Sequence, residues 1–379
     1  MINRLLSALL VLFFKRHSAK RNRRPGTRPR PDRVRRILLV STTGLGDTVL
    51  SAPAMAAARR AWPEAKIFAL VHSRWANLFS ACPYLDGVIA YPGKFRKVRP
   101  LLIGLGSLDL DLILVLHHND PDMLPLVYLS GPGYIVCRET TKFSFLLDQG
   151  VPIADPERHI AERRLDIVRA MAGPVEAEAA RIFVSGDKRA WADEFWRQRG
   201  MAPEERLAAL NPGGSRQAKR WPEEHWQELV HRLHSVHNLR VALFGSPSER
   251  RALEDLTHGL GPPDILVVTR PDISETAALL ERAGVLIGPD SGLGHLAVSL
   301  SVPALILFGP DNPALSGPYL SRSPAVALQS DKTVCPDIAA CRKKTCRPNL
   351  CLWEITPDKV LAALERDLNF SLDFQIEID

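Results

Sequence analysis

Short apolar runs that stop abruptly at small residues constrain this chain more than any other feature. Arg36-Ile-Leu-Leu-Val-Ser41 is uninterrupted and bounded by a turn, the pattern of a strand buried on both faces within a parallel sheet. Val285-Leu-Ile287 likewise runs into Gly288-Pro-Asp-Ser-Gly292 and then an amphipathic stretch through Leu296, Ala297 and Leu300. The same alternation predicts strands over 66–71, 88–90 and 108–116, with helices over 47–60 and 122–129 and a helical stretch reaching Cys82. A second series predicts strands over 207–210, 240–244, 265–268, 285–287 and 304–308, with helices over 223–236, 249–256, 273–283 and 293–300. Strands alternating with helices at this spacing mean doubly wound α/β units, and 379 residues exceed one ordinary core. Two Rossmann-like units are therefore expected, over residues 36–185 and 186–355, facing a central cleft. A helix over 187–199 containing Trp191 and Trp196 marks the crossover, and an amphipathic helix over 357–368 leads into an acidic tail, making 356–379 a separate C-terminal segment.

The overall charge of +7 is misleading until it is located. Residues 1–36 hold 12 Lys or Arg against Asp32 alone, a net +11, which leaves −4 for the other 343 residues. The body is thus no basic nucleic-acid binder. The uncharged run Leu5–Phe14 is ten residues, where a membrane span needs about 20. Its charge follows the apolar run instead of preceding it, and no A-x-A site follows, which argues against a signal peptide. An apolar segment backed by Arg and Lys suits an anionic membrane surface, so residues 1–35 read as a peripheral anchor and linker; the alternative is a solvated arm. Pro25, Pro29 and Pro31 make the stretch before the first strand a linker.

Three loops follow strand ends. Ser41-Thr-Thr43-Gly44-Leu-Gly-Asp47 resembles a dinucleotide fingerprint, but Val49 stands where the third glycine belongs. Its sharper feature is Asp47 at a helix start, a candidate base or simply a first-turn acid complementing the helix dipole. Asn211-Pro-Gly-Gly214-Ser215-Arg216-Gln-Ala-Lys219-Arg-Trp-Pro222 combines glycines that permit close approach with a hydroxyl and several cations, which suits a diphosphate; the alternative is a solvated basic loop. Phe244-Gly-Ser-Pro-Ser-Glu249 places a carboxylate where a ribose could bind. The turn at Asp290, Ser291, Gly292 and His295 opens a helix whose free N–H groups form an anion site, with Asp290 as N-cap and His295 on the surface as the plainer reading.

These elements in this order, together with Lys219-Arg-Trp-Pro222 and the Asp290-Ser-Gly-x-x-His295 element, resemble glycosyltransferase family 9, the heptosyltransferases of lipopolysaccharide inner-core synthesis. The resemblance spans roughly residues 36–365 and implies a GT-B fold, inversion at the anomeric carbon, ADP-heptose as donor, and no metal in catalysis. It implies that Asp47 deprotonates the acceptor hydroxyl, that Ser215 and Lys219 hold the diphosphate, and that Glu249 binds the ribose. Asp290, Ser291, Gly292 and His295 would face the nucleotide-sugar, with Thr43, Gly44, Gly214 and Arg216 as further substrate contacts. Asp290 suits a sugar hydroxyl or a cap better than phosphate, since two anions repel. Some relatives carry adjacent threonines where this chain has Gly214-Ser215, which removes one side-chain donor. A lipid-linked glycan acceptor follows from the same resemblance, and the apolar, basic tail places the chain on the cytoplasmic face of the inner membrane. Alternatives are a GT-B enzyme using another nucleotide-sugar or a protein acceptor, and a non-catalytic sugar-nucleotide binder.

Cys335, Cys341, Cys346 and Cys351 put four thiols within 17 residues, a possible structural metal site, although the C-x2-C pairs of common zinc sites are absent. Reduced structural thiols are the alternative. Similar cysteines occur at this place in many relatives.

Overall fold

The computed structural model describes residues 13–14, 16, 28–131, 133–139, 143–202, 204–214, 216–257, 265–270, 272–330, 349–370 and 372. The chain divides into two compact units, Met1–Glu178 and Ala179–Asp379.

The N-terminal unit is built on six parallel strands: β1 (Arg36–Ser41), β2 (Lys66–His72), β3 (Gly87–Tyr91), β4 (Leu112–His117), β5 (Tyr134–Arg138) and β6 (Gln149–Val151). Their spatial order is β3-β2-β1-β4-β5-β6, so the winding reverses between β1 and β4. Ile37, Leu38, Leu39 and Val40 are fully buried, which explains why β1 reads as an unbroken apolar run. The helix expected over 47–60 is two helices, α1 (Leu45–Val49) and α2 (Ala52–Ala61). Pro53 forces the break: it has no N–H to donate and its ring would strike the carbonyl four residues back, so it fits only at a helix start. The first strand of the β4 region begins four residues later than expected, because Asp109 takes a left-handed φ of 50°.

Helix α3 (Val98–Gly106) follows β3. Its proline and glycines hide it from propensity, but Leu101 and Leu105, four apart, anchor it on the core. Helix α4 (Met123–Leu129) packs beside it, and α5 (Ile160–Ala172) lies on α2 and β4. Of the basic tail, Phe13, Phe14 and Arg16 are described, and the remainder up to residue 27 lies outside the described residues. Phe14 is buried, edge-on to Tyr128 at 6.3 Å and to Phe143 at 6.4 Å. At this point, then, the tail is packed on the unit. No helix among the described residues is long and apolar enough to cross a membrane.

The C-terminal unit repeats the design. Helix α6 (Gly186–Arg197) precedes β7 (Leu207–Leu210), β8 (Arg240–Gly245), β9 (Ile265–Thr269), β10 (Val285–Pro289), β11 (Ala304–Phe308) and β12 (Ala325–Gln329). All pair in parallel in the order β12-β11-β10-β7-β8-β9, with the reversal between β7 and β10. Between them run α7 (Glu223–His231), α8 (Arg250–Leu256), α9 (Ile273–Leu280) and α10 (Gly292–Ser299). The expected helix over 223–236 loosens after His231 into a wide π turn, Arg232–Val236, before Asn238 adopts a φ of 48°. The closing helix Pro357–Leu368, capped by Thr356, lays Val360, Leu361 and Leu364 against β11 and β12. Gly294 lets α10 lie close to the sheet: a Cβ there would stand 2.7 Å from Cδ1 of Ile306 on β11 and would push that side chain aside.

Candidate active site

In the N-terminal unit the reversal point is bridged by side chains. Thr43, just past β1, shares a 2.7 Å hydrogen bond between its Oγ1 and Nδ1 of His117, the last residue of β4. Trp75 Nε1 donates to the Thr43 carbonyl at 3.0 Å and fixes the loop. Gly44 is the N-cap residue of α1, which puts Asp47 in the first helical turn with the dipole in its favour. Asp47 is clamped from α5: Arg164 Nη2 donates to its Oδ1 at 2.8 Å, while Nη1 donates to the Asp47 backbone carbonyl and, at 3.2 Å, to Ser51 Oγ. The Arg164 side chain is 3% exposed and the Asp47 carboxylate 35%, so the cation is sunk and the anion presents an open face. Burial lowers the Arg164 guanidinium, with Asp47 acting against it. His117 Nε2 stands 4.0 Å from Asp47 Oδ1. Burial, and then the Arg164 charge, push the His117 imidazole down to about 3 against the pull of Asp47, so it is neutral at pH 7.

In the C-terminal unit Asn211, just past β7, and Ser291, just past β10, bridge the corresponding reversal. Ser291 Oγ donates to Asn211 Oδ1 at 2.9 Å, and Asn211 Nδ2 donates to the Phe244 carbonyl of β8 at 2.9 Å. Ser291 is also the N-cap of α10, taking the role expected of Asp290. Asp290 instead pairs with Lys219, whose ammonium also reaches Asp311 Oδ2 at 2.6 Å. His295 Nε2 lies 3.7 Å from Asp290 Oδ1 and is largely buried, so it is not the surface residue of the plainer reading. Burial would raise the Asp290 carboxyl, but His295 and Lys219 outweigh it and hold it below the ordinary carboxylate range. Arg216 Nη2 joins Asp311 at 2.6 Å. An ammonium has three N–H groups; with two carboxylates engaged, Lys219 retains one for a ligand.

Glu249 closes a capping box at Ser246, its Oε2 accepting from the Ser246 amide at 2.8 Å and hydroxyl at 2.6 Å. Its Oε1 faces Gly213, where a Cβ would come within 2.5 Å; glycine is what admits the carboxylate. A groove of about 420 Å³ lies between α7 and α8, lined by Gly213, Arg220, Trp221, Glu249, Asn349 and Trp353, and it does not include Lys219, Asp290 or His295. Gly214 lies on the same loop, where a Cβ would meet Arg220 at 3.3 Å, and Gly292 opens α10. Ser215 lies outside the described residues, as do Cys335, Cys341 and Cys346. Cys351 is buried in the apolar core of the C-terminal unit. No cluster of His, Cys, Asp or Glu among the described residues is able to hold a metal ion, which leaves the structural-metal expectation without support.

The structure thus brings Lys219, Asp290, Arg216, Ser291 and His295 together in one unit and sets Asp47 with Thr43 in the other. Sequence reasoning missed Arg164, His117, Asn211 and Asp311. A signal for Asp311 was present: Gly309-Pro-Asp311 after β11 repeats Gly288-Pro-Asp290 at the end of β10. Arg164 had none, lying 117 residues from Asp47.

Two six-stranded parallel units of identical winding, each with charged residues gathered at its reversal point, define a two-domain α/β enzyme of the GT-B class. The profile of glycosyltransferase family 9 (heptosyltransferase) matches residues 135–347, and the chain belongs to this family of glycosyltransferases. Lipopolysaccharide heptosyltransferase 1 of Pseudomonas aeruginosa is 27% identical over 370 residues, covering 87% of this chain and 97% of that protein. The crystal structure of a family 9 glycosyltransferase from Veillonella parvula superposes with a TM-score of 0.77 at 22% identity, covering 89% of this chain and 98% of that one. Escherichia coli heptosyltransferase WaaC with ADP gives 0.68 at 21% identity, covering 88% and 99%.

Proposed function

We propose that this enzyme moves heptose from ADP-heptose to the inner core of lipopolysaccharide, inverting the anomeric carbon, with Asp47 as general base. The observation that carries the reading is the near full-length likeness to a lipopolysaccharide heptosyltransferase. The open face of the Asp47 carboxylate supports the role given to it, since a base must reach the proton it takes. The acceptor hydroxyl attacks C1; the new C1–O bond forms as the C1–O bond to the diphosphate breaks. The proton passes to Asp47 and the electron pair leaves with ADP. Thr43 and Gly44 border the acceptor side. Lys219, through its remaining N–H, together with Arg216, Ser215, the Gly214 backbone and the N-terminus of α10 at Gly292, offsets the charge growing on the diphosphate. Asp290, held anionic, keeps Lys219 and His295 in place and accepts from a sugar hydroxyl instead of meeting phosphate. Glu249 serves the ribose with Oε1, the oxygen its capping box leaves over. The reaction as written needs no metal or cofactor. The acceptor is lipid-linked, and the basic N-terminal tail holds the enzyme peripherally to the cytoplasmic face of the inner membrane.

The test is ADP release by purified enzyme given ADP-heptose and heptose-deficient lipopolysaccharide, alongside Asp47→Asn. Release that depends on the acceptor and is lost in the variant, with ADP binding retained, is the expected result. Turnover with a UDP-sugar alone would overturn the donor assignment. Nucleotide binding without turnover of any donor would leave a binding protein.

A further inference from the structure

We infer that the N-terminal unit carries its own membrane-docking face, formed by the outward side of α3, the end of α4 and the turn holding Phe13 and Arg16, and that its occupant is an anionic lipid surface. The inference deepens the reading of a lipid-linked acceptor and rests on it for its purpose. Ile103 is 65% exposed in the middle of α3, and Leu129 is exposed at the end of α4. The two helix ends meet, since a Cβ on Gly106 would lie 3.2 Å from the Ser130 carbonyl. Phe14 fastens the tail to Tyr128 of α4 and leaves its neighbour Phe13 exposed beside that helix, with Arg16 one turn further on, also exposed. Large apolar side chains facing water in one neighbourhood mark an interaction surface.

Charge decides which kind. The loop leading into α3 holds Lys94, Arg96 and Lys97, and Arg99 follows on the same outward stripe as Ile103. None of these four makes an ion pair with a described carboxylate, whereas Arg36, Arg59, Arg158, Arg164 and Arg169 of the same unit each do. The loop is also held in a costly shape. Phe95 and Lys97 have φ values of 56° and 45°, a left-handed conformation that non-glycine residues avoid. Buried Asp122 enforces it, accepting from the Phe95 amide at 2.7 Å and from the Tyr91 hydroxyl at 3.0 Å. Strain kept in place by a buried carboxylate is characteristic of functional segments. Unpaired cations around exposed aliphatic and aromatic groups complement a bilayer of anionic headgroups over acyl chains.

The experiment is co-sedimentation of the full chain with vesicles of phosphatidylglycerol and phosphatidylcholine, against phosphatidylcholine alone, without any sugar substrate. Each basic residue near such a surface contributes roughly fivefold, so Lys97→Ala/Arg99→Ala is expected to weaken binding about 25-fold. Ile103→Asp is expected to weaken it further, and raised salt to abolish the preference for anionic vesicles. Thermal melting of these surface variants and ADP release with a soluble, lipid-free acceptor should stay unchanged. Because vesicle binding is read without turnover, it can fail while heptosyl transfer stands, and the reverse. Binding that survives these variants and disappears only when residues 1–12 are removed would overturn the inference. So would concentration-dependent dimerisation lost in Ile103→Asp, which would give the face to a second copy of the chain.

Discussion

The two units share one winding and one place for chemistry, and differ in which charge they leave open. In the N-terminal unit a buried guanidinium, Arg164, backs a carboxylate that is 35% exposed. In the C-terminal unit both members of the Lys219–Asp290 pair are sunk, at 14% and 8%, and a second carboxylate, Asp311, is added. The cation also arrives differently. Arg164 comes from a helix late in its unit, whereas Lys219, Arg216, Asp290 and Asp311 all come from loops at strand ends. A Rossmann-like winding thus supplies the location, and burial of one partner decides whether the site offers an exposed carboxylate or a sunken ion-pair cluster.

The sharpest way to break this contrast is kinetic. Asp47→Asn should cut kcat by about 10²–10⁴ with little change in donor KM, because it removes the proposed proton acceptor and leaves the other unit intact. Asp290→Asn should instead raise donor KM, because Lys219 loses one of the two carboxylates that place it. Steady-state ADP release under both variants separates them; the same KM-to-kcat pattern in both would erase the division of labour.

Stability supplies the next comparison. Lys219→Met leaves buried Asp290 with His295 but without its ammonium, and leaves the Asp311 carboxylate near it uncompensated, so a loss of about 3 kcal/mol is expected. Arg164→Met leaves the Asp47 carboxylate, which water can reach, and takes a donor from the Asp47 carbonyl and the Ser51 hydroxyl, so it should cost less, about 1–2 kcal/mol. Urea melts would show the ordering, and equal losses would mean that exposure does not govern these pairs.

How much of this was open to reading in the sequence follows from the range of the forces involved. β7, β11 and the closing helix 357–368 fall where their patterns predict, because a buried strand between turns and a capped amphipathic helix are local signals. Pro53 was equally visible as a helix start, yet the apolar positions on either side of it merged two helices into one. The loops at 211–222 and 288–295 announced themselves by glycines and cations. Arg164 could not: it stands with Arg163 and Arg169 on a helix, just after Arg158, in a stretch that reads as charged surface, and only the fold shows that it alone of these is buried. His117 was hidden for the same reason, since its place depends on the register of β4 against β1. The cysteine spacing drew attention toward a metal, and the one thiol described lies in an apolar core.

Acid should separate the units. With a folded-state value near 3 against an ordinary 6.5, His117 is neutral in the native protein while the unfolded chain takes up a proton. Its contribution is therefore complete above about pH 6.5 and is lost as pH falls toward 3, amounting to roughly 2 kcal/mol at pH 5. His118 and His72, also lowered chiefly by burial, act in the same direction in the same unit. In the C-terminal unit His225 is lowered likewise, but the depressed Asp290 keeps its contribution until below pH 4. Hydrogen exchange of the whole chain at pH 7 and pH 5 should show β1 and β4 losing protection ahead of β7 and β10. Parallel loss in the two sheets would place the acid-sensitive groups elsewhere.

The smallest expected difference lies in the two side-chain bridges across the reversal points. Thr43→Val removes one hydrogen bond, to His117 Nδ1 at 2.7 Å, and should cost about 1 kcal/mol, regained with Thr43→Ser. Ser291→Ala removes the 2.9 Å bond to Asn211 and, in addition, the cap of α10. Capping alone is worth about 1 kcal/mol, so a loss of about 2 kcal/mol is expected there. The difference is close to the error of a single melt, so both variants need denaturant curves sharing one m value. If Ser291→Ala cost no more than Thr43→Val, the 3.5 Å contact from the Gly294 amide to Ser291 Oγ would carry no capping energy. The hydroxyl would then serve only to tie β10 to β7, and the two bridges would be equivalent after all.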